Sequence, residues 1–154
     1  YGRITPVLAE YANKVIGFER EKSLVQMAES LVRDVEIINV AKLSDFAEKG
    51  SFDLIMTCTV LQHLADQECF EVTSLIKKSL SDRGYALIIE STDTTNLSII
   101  GNTNRGDKFL SRPRSENDYI EMMKPLKLVS TASRELEKNF GSNAGSLMLF
   151  QKVA

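Results

Sequence analysis

The sequence contains a single histidine, His63, and only two cysteines, Cys58 and Cys69. One imidazole leaves a zinc site short of ligands, and the two thiols offer neither metal-ligand spacing nor a disulfide framework. Without such a framework, the cytosol is the expected compartment. Long apolar runs are missing as well. Stretches such as Tyr85–Ile89 are far too short to span a bilayer, and no secretory signal is present. Charge of one sign does not accumulate either. Nineteen basic against 21 acidic residues leave a net charge of −2, so no basic field announces a nucleic-acid partner. An initiator methionine is also absent. The chain opens on Tyr1-Gly2-Arg3, which reads as the middle of something longer.

What is present suits one folded domain. The 154 residues can bury a sizeable core, and 43% hydrophobic with 26% charged residues is an ordinary globular mix. Ile4, Val7, Leu8 and Tyr11 share a helical spacing and predict a helix over Ile4–Asn13. Leu24, Met27, Ala28, Leu31 and Val32 predict another over Ser23–Val32. The β-branched runs Lys14–Phe18 and Val35–Val40 read as strands. A polar connection, Leu43–Gly50, leads to Phe52–Thr57, which is nearly all apolar apart from Asp53. Such a strand is buried on both faces of a parallel sheet. Gln67–Leu80 carries Phe70, Val72, Ile76 and Leu80, with Lys77 and Lys78 near its end where cations suit the helix dipole. Asp82–Gly84 makes a turn into the strand Tyr85–Glu90.

The pattern changes at Ser91. Residues Ser91–Arg114 are rich in Ser, Thr and Asn and contain Gly101, Gly106 and Pro113, the character of a functional lid or a disordered loop. A short helix is expected at Asn117–Met123, capped by Ser115 or Asn117. Leu126–Arg134 and Ser146–Lys152 read as strands, and the turn-rich Asn139–Gly145 between them suggests an antiparallel terminal pair. Strands alternating with helices predict an α/β domain with a parallel sheet and right-handed crossovers. Ligands in such sheets bind at the carboxyl ends of the strands. That rule directs attention to Gly2, Glu19, the end of the second strand, Thr57–Thr59 and Glu90.

These segments, in this order, resemble the class I S-adenosylmethionine-dependent methyltransferases, particularly the broad group acting on small molecules. Tyr1-Gly2-Arg3-Ile4-Thr5 is similar to the last part of that family's glycine-rich loop, with Gly2 as its final glycine. Val15–Glu19 resembles the strand that ends in an acidic residue, and Phe52–Ile55 the fourth strand. Val60–Leu64 resembles the helical turn that follows, and Leu80–Glu90 the turn into the fifth strand. The resemblance runs through most of the chain. It implies a Rossmann-like, mostly parallel seven-stranded sheet with helices on both faces and an antiparallel last strand. Residues 1–154 would form a single domain, with 91–114 as a substrate lid. The strand leading into the glycine-rich loop is missing from the sequence and would lie mid-sheet. A polypeptide of strictly these residues is therefore expected to be unstable as a monomer.

The resemblance also implies S-adenosylmethionine as cofactor and a small-molecule nucleophile as substrate. Gly2 and the N–H groups of the following helix suit the cofactor's carboxylate. Glu19, beside Arg20, is the implied acceptor for the ribose hydroxyls, the alternative being a solvated acid near Arg20 or Lys22. Thr57, Cys58 and Thr59 would line the floor near the sulfonium. Many members carry an acid after the third strand for the adenine amino group. Here Val40–Lys42 has none before Asp45, so that contact falls to backbone, Asp45 or Ser44. Cys58 lacks the preceding proline of pyrimidine carbon-5 enzymes, and the Asp/Asn-Pro-Pro-aromatic signature of nucleic-acid amino methylation is absent. His63 is either a general base or a structural hydrogen-bonding group. Glu90 either orients a substrate amine or hydroxyl, or is a strand-end acid capped by the hydroxyls of Ser91–Thr95. Arg112 and Arg114 would grip a substrate carboxylate or phosphate, or else lie in a solvated loop. A scaffold without turnover and an enzyme acting on protein or RNA are the alternative readings.

Overall fold

A computed structural model of the chain describes residues 4–31, 35–39, 46, 50–94, 99–101, 108–134 and 145–153. The chain forms two compact units, Tyr1–Lys49 and Gly50–Ala154. In the first, helix α1 (Thr5–Ala9) starts with a proline in its opening turn, where a missing N–H is harmless. It is shorter than the Ile4–Asn13 expected, because Tyr11 lies exposed and gives a longer helix nothing to bury. Strand β1 (Ile16–Glu19), helix α2 (Lys22–Leu31) and strand β2 (Glu36–Asn39) follow. The two strands are parallel, with Gly17 opposite Ile37 and Glu19 opposite Asn39. The α2 crossover buries Val25 and Ala28, which share one helical face.

The second unit begins with β3 (Phe52–Cys58), a 3-10 turn at Leu61–His63 and α3 (Asp66–Ser79). Then come β4 (Leu80–Ser91), β5 (Ile99–Gly101), β6 (Lys108–Leu110), α4 (Glu116–Met123), β7 (Lys127–Arg134) and β8 (Gly145–Gln151). The sheet order is β3-β4-β8-β7. Strand β3 runs parallel to β4, while β8 is antiparallel to both β4 and β7. One sheet face is the core. Ile55, Ala86, Ile88, Met148 and Phe150 alternate onto it and are buried together with Cys69 and Ile76 of α3 and Tyr119 and Met123 of α4. Burying each large side chain contributes about 1.5–3 kcal/mol.

Helix α4 is closed at both ends. The Ser115 Oγ accepts the Asp118 N–H at 3.2 Å, and the Asp118 carboxylate accepts the Ser115 N–H at 2.9 Å. At the other end Lys77 donates to the carbonyls of Met122 and Lys124 at 2.6 and 2.9 Å. Ser115 is thus the cap, as one of the two residues expected.

Among the described residues the α/β architecture consists of a mixed four-stranded sheet, a parallel pair and a hairpin. Two local expectations are corrected. The region read as pure loop contains the hairpin β5–β6, with Ile99 opposite Leu110. Three-residue strands are too brief to show a period of two. Finally, β4 begins at Leu80, and Asp82–Gly84 is a bulge inside it rather than a separate turn. Among the described residues, no helix is long and apolar enough to cross a membrane.

The bulge requires its glycine. A Cβ on Gly84 would stand 2.9 Å from the Ser81 carbonyl oxygen and 3.0 Å from that of Phe52, both backbone atoms. Gly84→Ala is expected to cost about 1–3 kcal/mol, the scale of overpacking. Chemical denaturation checks this, and an unchanged midpoint would show that the bulge relaxes freely.

Candidate functional site

In the first unit the carboxyl ends of two parallel strands meet at Glu19 and Asn39. Glu19 is half-buried, and its Oε1 accepts the Glu21 N–H at 2.9 Å. Asn39 donates its amide to the carbonyls of Glu19 and Arg20 at 3.1 and 2.9 Å. The chain reversal after β1 is therefore braced on both sides, and the Glu19 carboxylate is held by its own backbone. Its second oxygen has no hydrogen bond among the described residues. Arg20 is exposed and takes part through its carbonyl. Asn39 was not singled out from the sequence, and its position at a strand end was the only signal for it. Gly2, Ser44 and Asp45 lie outside the described residues.

In the second unit, Thr57, Cys58 and Thr59 end β3, with Cys58 opposite Ile89 of β4. Thr59 extends the ladder by donating its N–H to the Ile89 carbonyl at 2.8 Å. Its φ is +52°, the left-handed region, which a β-branched residue rarely enters. The hydroxyl of Thr59 donates to the Cys58 carbonyl at 2.8 Å. Strain of this kind collects at functional sites. Cys58 is half-buried, and Cys69 is a buried thiol whose pKa is raised by desolvation.

Glu90 ends β4 on the core side and is fully buried. Its Oε1 accepts the N–H groups of Val60 and Leu61, each at 3.0 Å, and its Oε2 that of Gln62 at 3.2 Å. The carboxylate thus faces backbone. Burial pushes its pKa up, while the three N–H bonds and the Thr57 hydroxyl pull the other way. Gln62, also buried, accepts the Ser91 N–H on its Oε1 at 3.0 Å. That fixes the amide so that its Nε2 faces the Nε2 of exposed His63 at 3.4 Å. His63 is therefore placed as the acceptor of that contact.

Of the two arginines, Arg114 is drawn inward while the Arg112 side chain stays exposed. Arg114 is buried and donates to the carbonyls of Leu61 and Leu64 at 2.8 and 2.9 Å and to Asp66 at 2.6 Å. The guanidinium lowers the pKa of Asp66 by hydrogen bond and by charge. Arg112 gives its backbone N–H to the Gln62 carbonyl at 2.7 Å, and its guanidinium lies 3.8 Å from Asp66. The far end of the expected lid is therefore fixed to the turn, and Arg114 is engaged internally rather than in a solvated loop. Ser146, buried at the start of β8, binds Thr92 at 2.9 Å and donates to Glu116. Gln62 and Asp66 were not singled out from the sequence. Tyr119 is fully buried, its hydroxyl makes no hydrogen bond of regular geometry, and its pKa is raised by burial.

A family described as "Methyltransferase domain" matches the chain over residues 1–88. No curated protein sequence matches it. Solved structures share its fold at low identity. A SAM-dependent methyltransferase from Methanosarcina mazei superposes with a TM-score of 0.79 at 15% identity, covering 99% of this chain and 88% of that one. The N-methyltransferase NodS from Bradyrhizobium japonicum WM9, in complex with S-adenosyl-L-homocysteine, gives 0.71 at 16% identity, covering 98% and 72%. TehB from Haemophilus influenzae gives 0.74 at 15% identity, covering 98% and 54%.

Proposed function

The chain belongs to the methyltransferase domain family, and from that premise we propose that it transfers the methyl group of S-adenosylmethionine to a small-molecule nucleophile. The observation that carries the cofactor half is Glu19. A carboxylate at the end of a parallel strand, with one oxygen held by the Glu21 N–H, presents its other oxygen to hydroxyl donors. The donor set fits. Glu19, in the first unit, would hold the ribose hydroxyls; for Thr57–Thr59, in the second, a place near the sulfonium is proposed from the order of the motifs alone. Bound there, the cofactor supplies an electrophilic methyl group on a sulfonium centre.

The chain's own residues then have little covalent work. Positioning two reactants removes most of the entropic barrier to such a displacement. His63 is the exposed titratable group of the turn and the candidate acceptor of a substrate proton. Residues 91–114 would be the covering segment that the resemblance implies, of which 95–98 and 102–107 lie outside the described residues. The small-molecule assignment is supported by the net charge of −2, which offers no attraction to a polyanion.

Glu19→Ala tests the reading. It is expected to weaken S-adenosylhomocysteine binding by about 1.5–3 kcal/mol, the scale of hydrogen bonds to a charged group. Calorimetry measures it. Equal affinity in the variant would remove Glu19 from the site.

A further inference from the structure

The turn at Val60–Leu64 is too short to hold itself. Its internal bonds are His63 N–H to the Val60 carbonyl at 3.0 Å and Leu64 N–H to the Leu61 carbonyl at 3.1 Å. A 3-10 segment of this length has poor bond geometry, and nucleating a helical turn is unfavourable. Most of the remaining backbone groups are bonded from outside the turn. Glu90 takes the N–H groups of Val60, Leu61 and Gln62. Arg114 serves the carbonyls of Leu61 and Leu64, and the Arg112 N–H serves that of Gln62. An anion at the N-terminal end and a cation at the C-terminal end match the peptide dipoles. Directly before the turn stands Thr59 with its φ of +52°, a conformation that persists only where its surroundings over-determine it.

We propose that Glu90 and Arg114 are positioning residues: together they clamp the turn so that Thr57–Thr59 and His63 keep the arrangement that receives the cofactor. Neither side chain touches the reacting groups. Because Arg112 and Arg114 end the 91–114 segment, the clamp also links that segment to the cofactor loop. Displacing 111–114 loosens cofactor binding, and by reciprocity bound cofactor steadies 111–114. The inference rests on the cofactor reading above.

Two variants of the full chain test it. Glu90→Gln keeps the side-chain size but sets an amide donor against a backbone N–H. Arg114→Lys keeps a charge opposite Asp66 but loses the forked contact to two carbonyls. In each, S-adenosylhomocysteine affinity is expected to fall about tenfold or more, the effect of losing one charged hydrogen bond. Amide exchange at residues 59–64 should quicken in parallel. Ile76→Val is the control, since it removes a methyl group from the core of α3 and should leave affinity unchanged. Should Glu90→Gln not fold, Arg114→Lys carries the test. Folded variants that bind like the wild type overturn the proposal, and so does an equal affinity loss in Ile76→Val. A wild type that does not bind at all refutes the cofactor reading instead, while exchange at 59–64 still reports whether the clamp holds the turn.

Discussion

Replacing Glu90 with alanine should lower stability by about 3–5 kcal/mol. The loss is large because the carboxylate serves three donors at once, the buried N–H groups of Leu61 and Gln62 and the part-buried one of Val60. Each buried group left unsatisfied costs about 1–3 kcal/mol, and partial entry of water at Val60, which is exposed, reduces the sum. Against a typical total of about 5–15 kcal/mol this is a substantial fraction. For a chain of this size it corresponds to a fall in Tm of roughly 10 °C or more. Thermal unfolding followed by circular dichroism measures it. A Tm within about 2 °C of the wild type would mean that the turn finds other partners.

Arg114→Ala comes next, with an expected loss of about 2–4 kcal/mol. That figure covers the Leu64 carbonyl, which loses its donor, the Leu61 carbonyl, which keeps only the Leu64 N–H, and the space left by a buried side chain. No share is assigned to Asp66, which is exposed. Its pairing shows instead in the pH dependence. The guanidinium holds the Asp66 pKa below the ordinary carboxylate range. A depressed acid stabilises the fold above its unfolded pKa, and that contribution disappears as pH falls through the folded pKa. The stability gap between wild type and Arg114→Ala should therefore narrow in acid, below about pH 4. Denaturant midpoints across that range decide the matter, and a gap that stays constant or widens would place the ion pair outside the energetics of the fold.

The elements carried by strong periodicity were legible in the sequence. Phe52–Cys58 was readable as a strand from its apolar run, although Leu54 is exposed and burial on both faces does not follow. The helix α3 was readable too, but Cys69, Thr73 and Ile76 are its buried residues while Phe70 is exposed. Ser115 could be read as a cap because its chemistry is local. The destinations of single charges could not. Glu90 meets a turn about 30 residues before it, and Arg114 reaches back 48 residues to Asp66. Those pairings are set by sheet register and by where α4 docks, which no local pattern encodes. The left-handed Thr59 runs against the preference of its own side chain, so propensity points away from it. At the candidate site, the order of the motifs put Glu19 and Thr57–Cys58 at strand ends, where they lie, whereas the burial of Arg114 against the turn could not be read from it.

Titration of the isotope-labelled full chain with S-adenosylhomocysteine, followed through backbone amide shifts, tests directly whether the strand ends of each unit respond to the cofactor. Saturable shifts at Glu19–Glu21, Asn39 and Thr57–His63, with Val129–Ser133 of the edge strand β7 unmoved, are the predicted result. Absence of saturable shifts at millimolar ligand, or shifts confined to residues away from the ends of β1, β2 and β3, would contradict it.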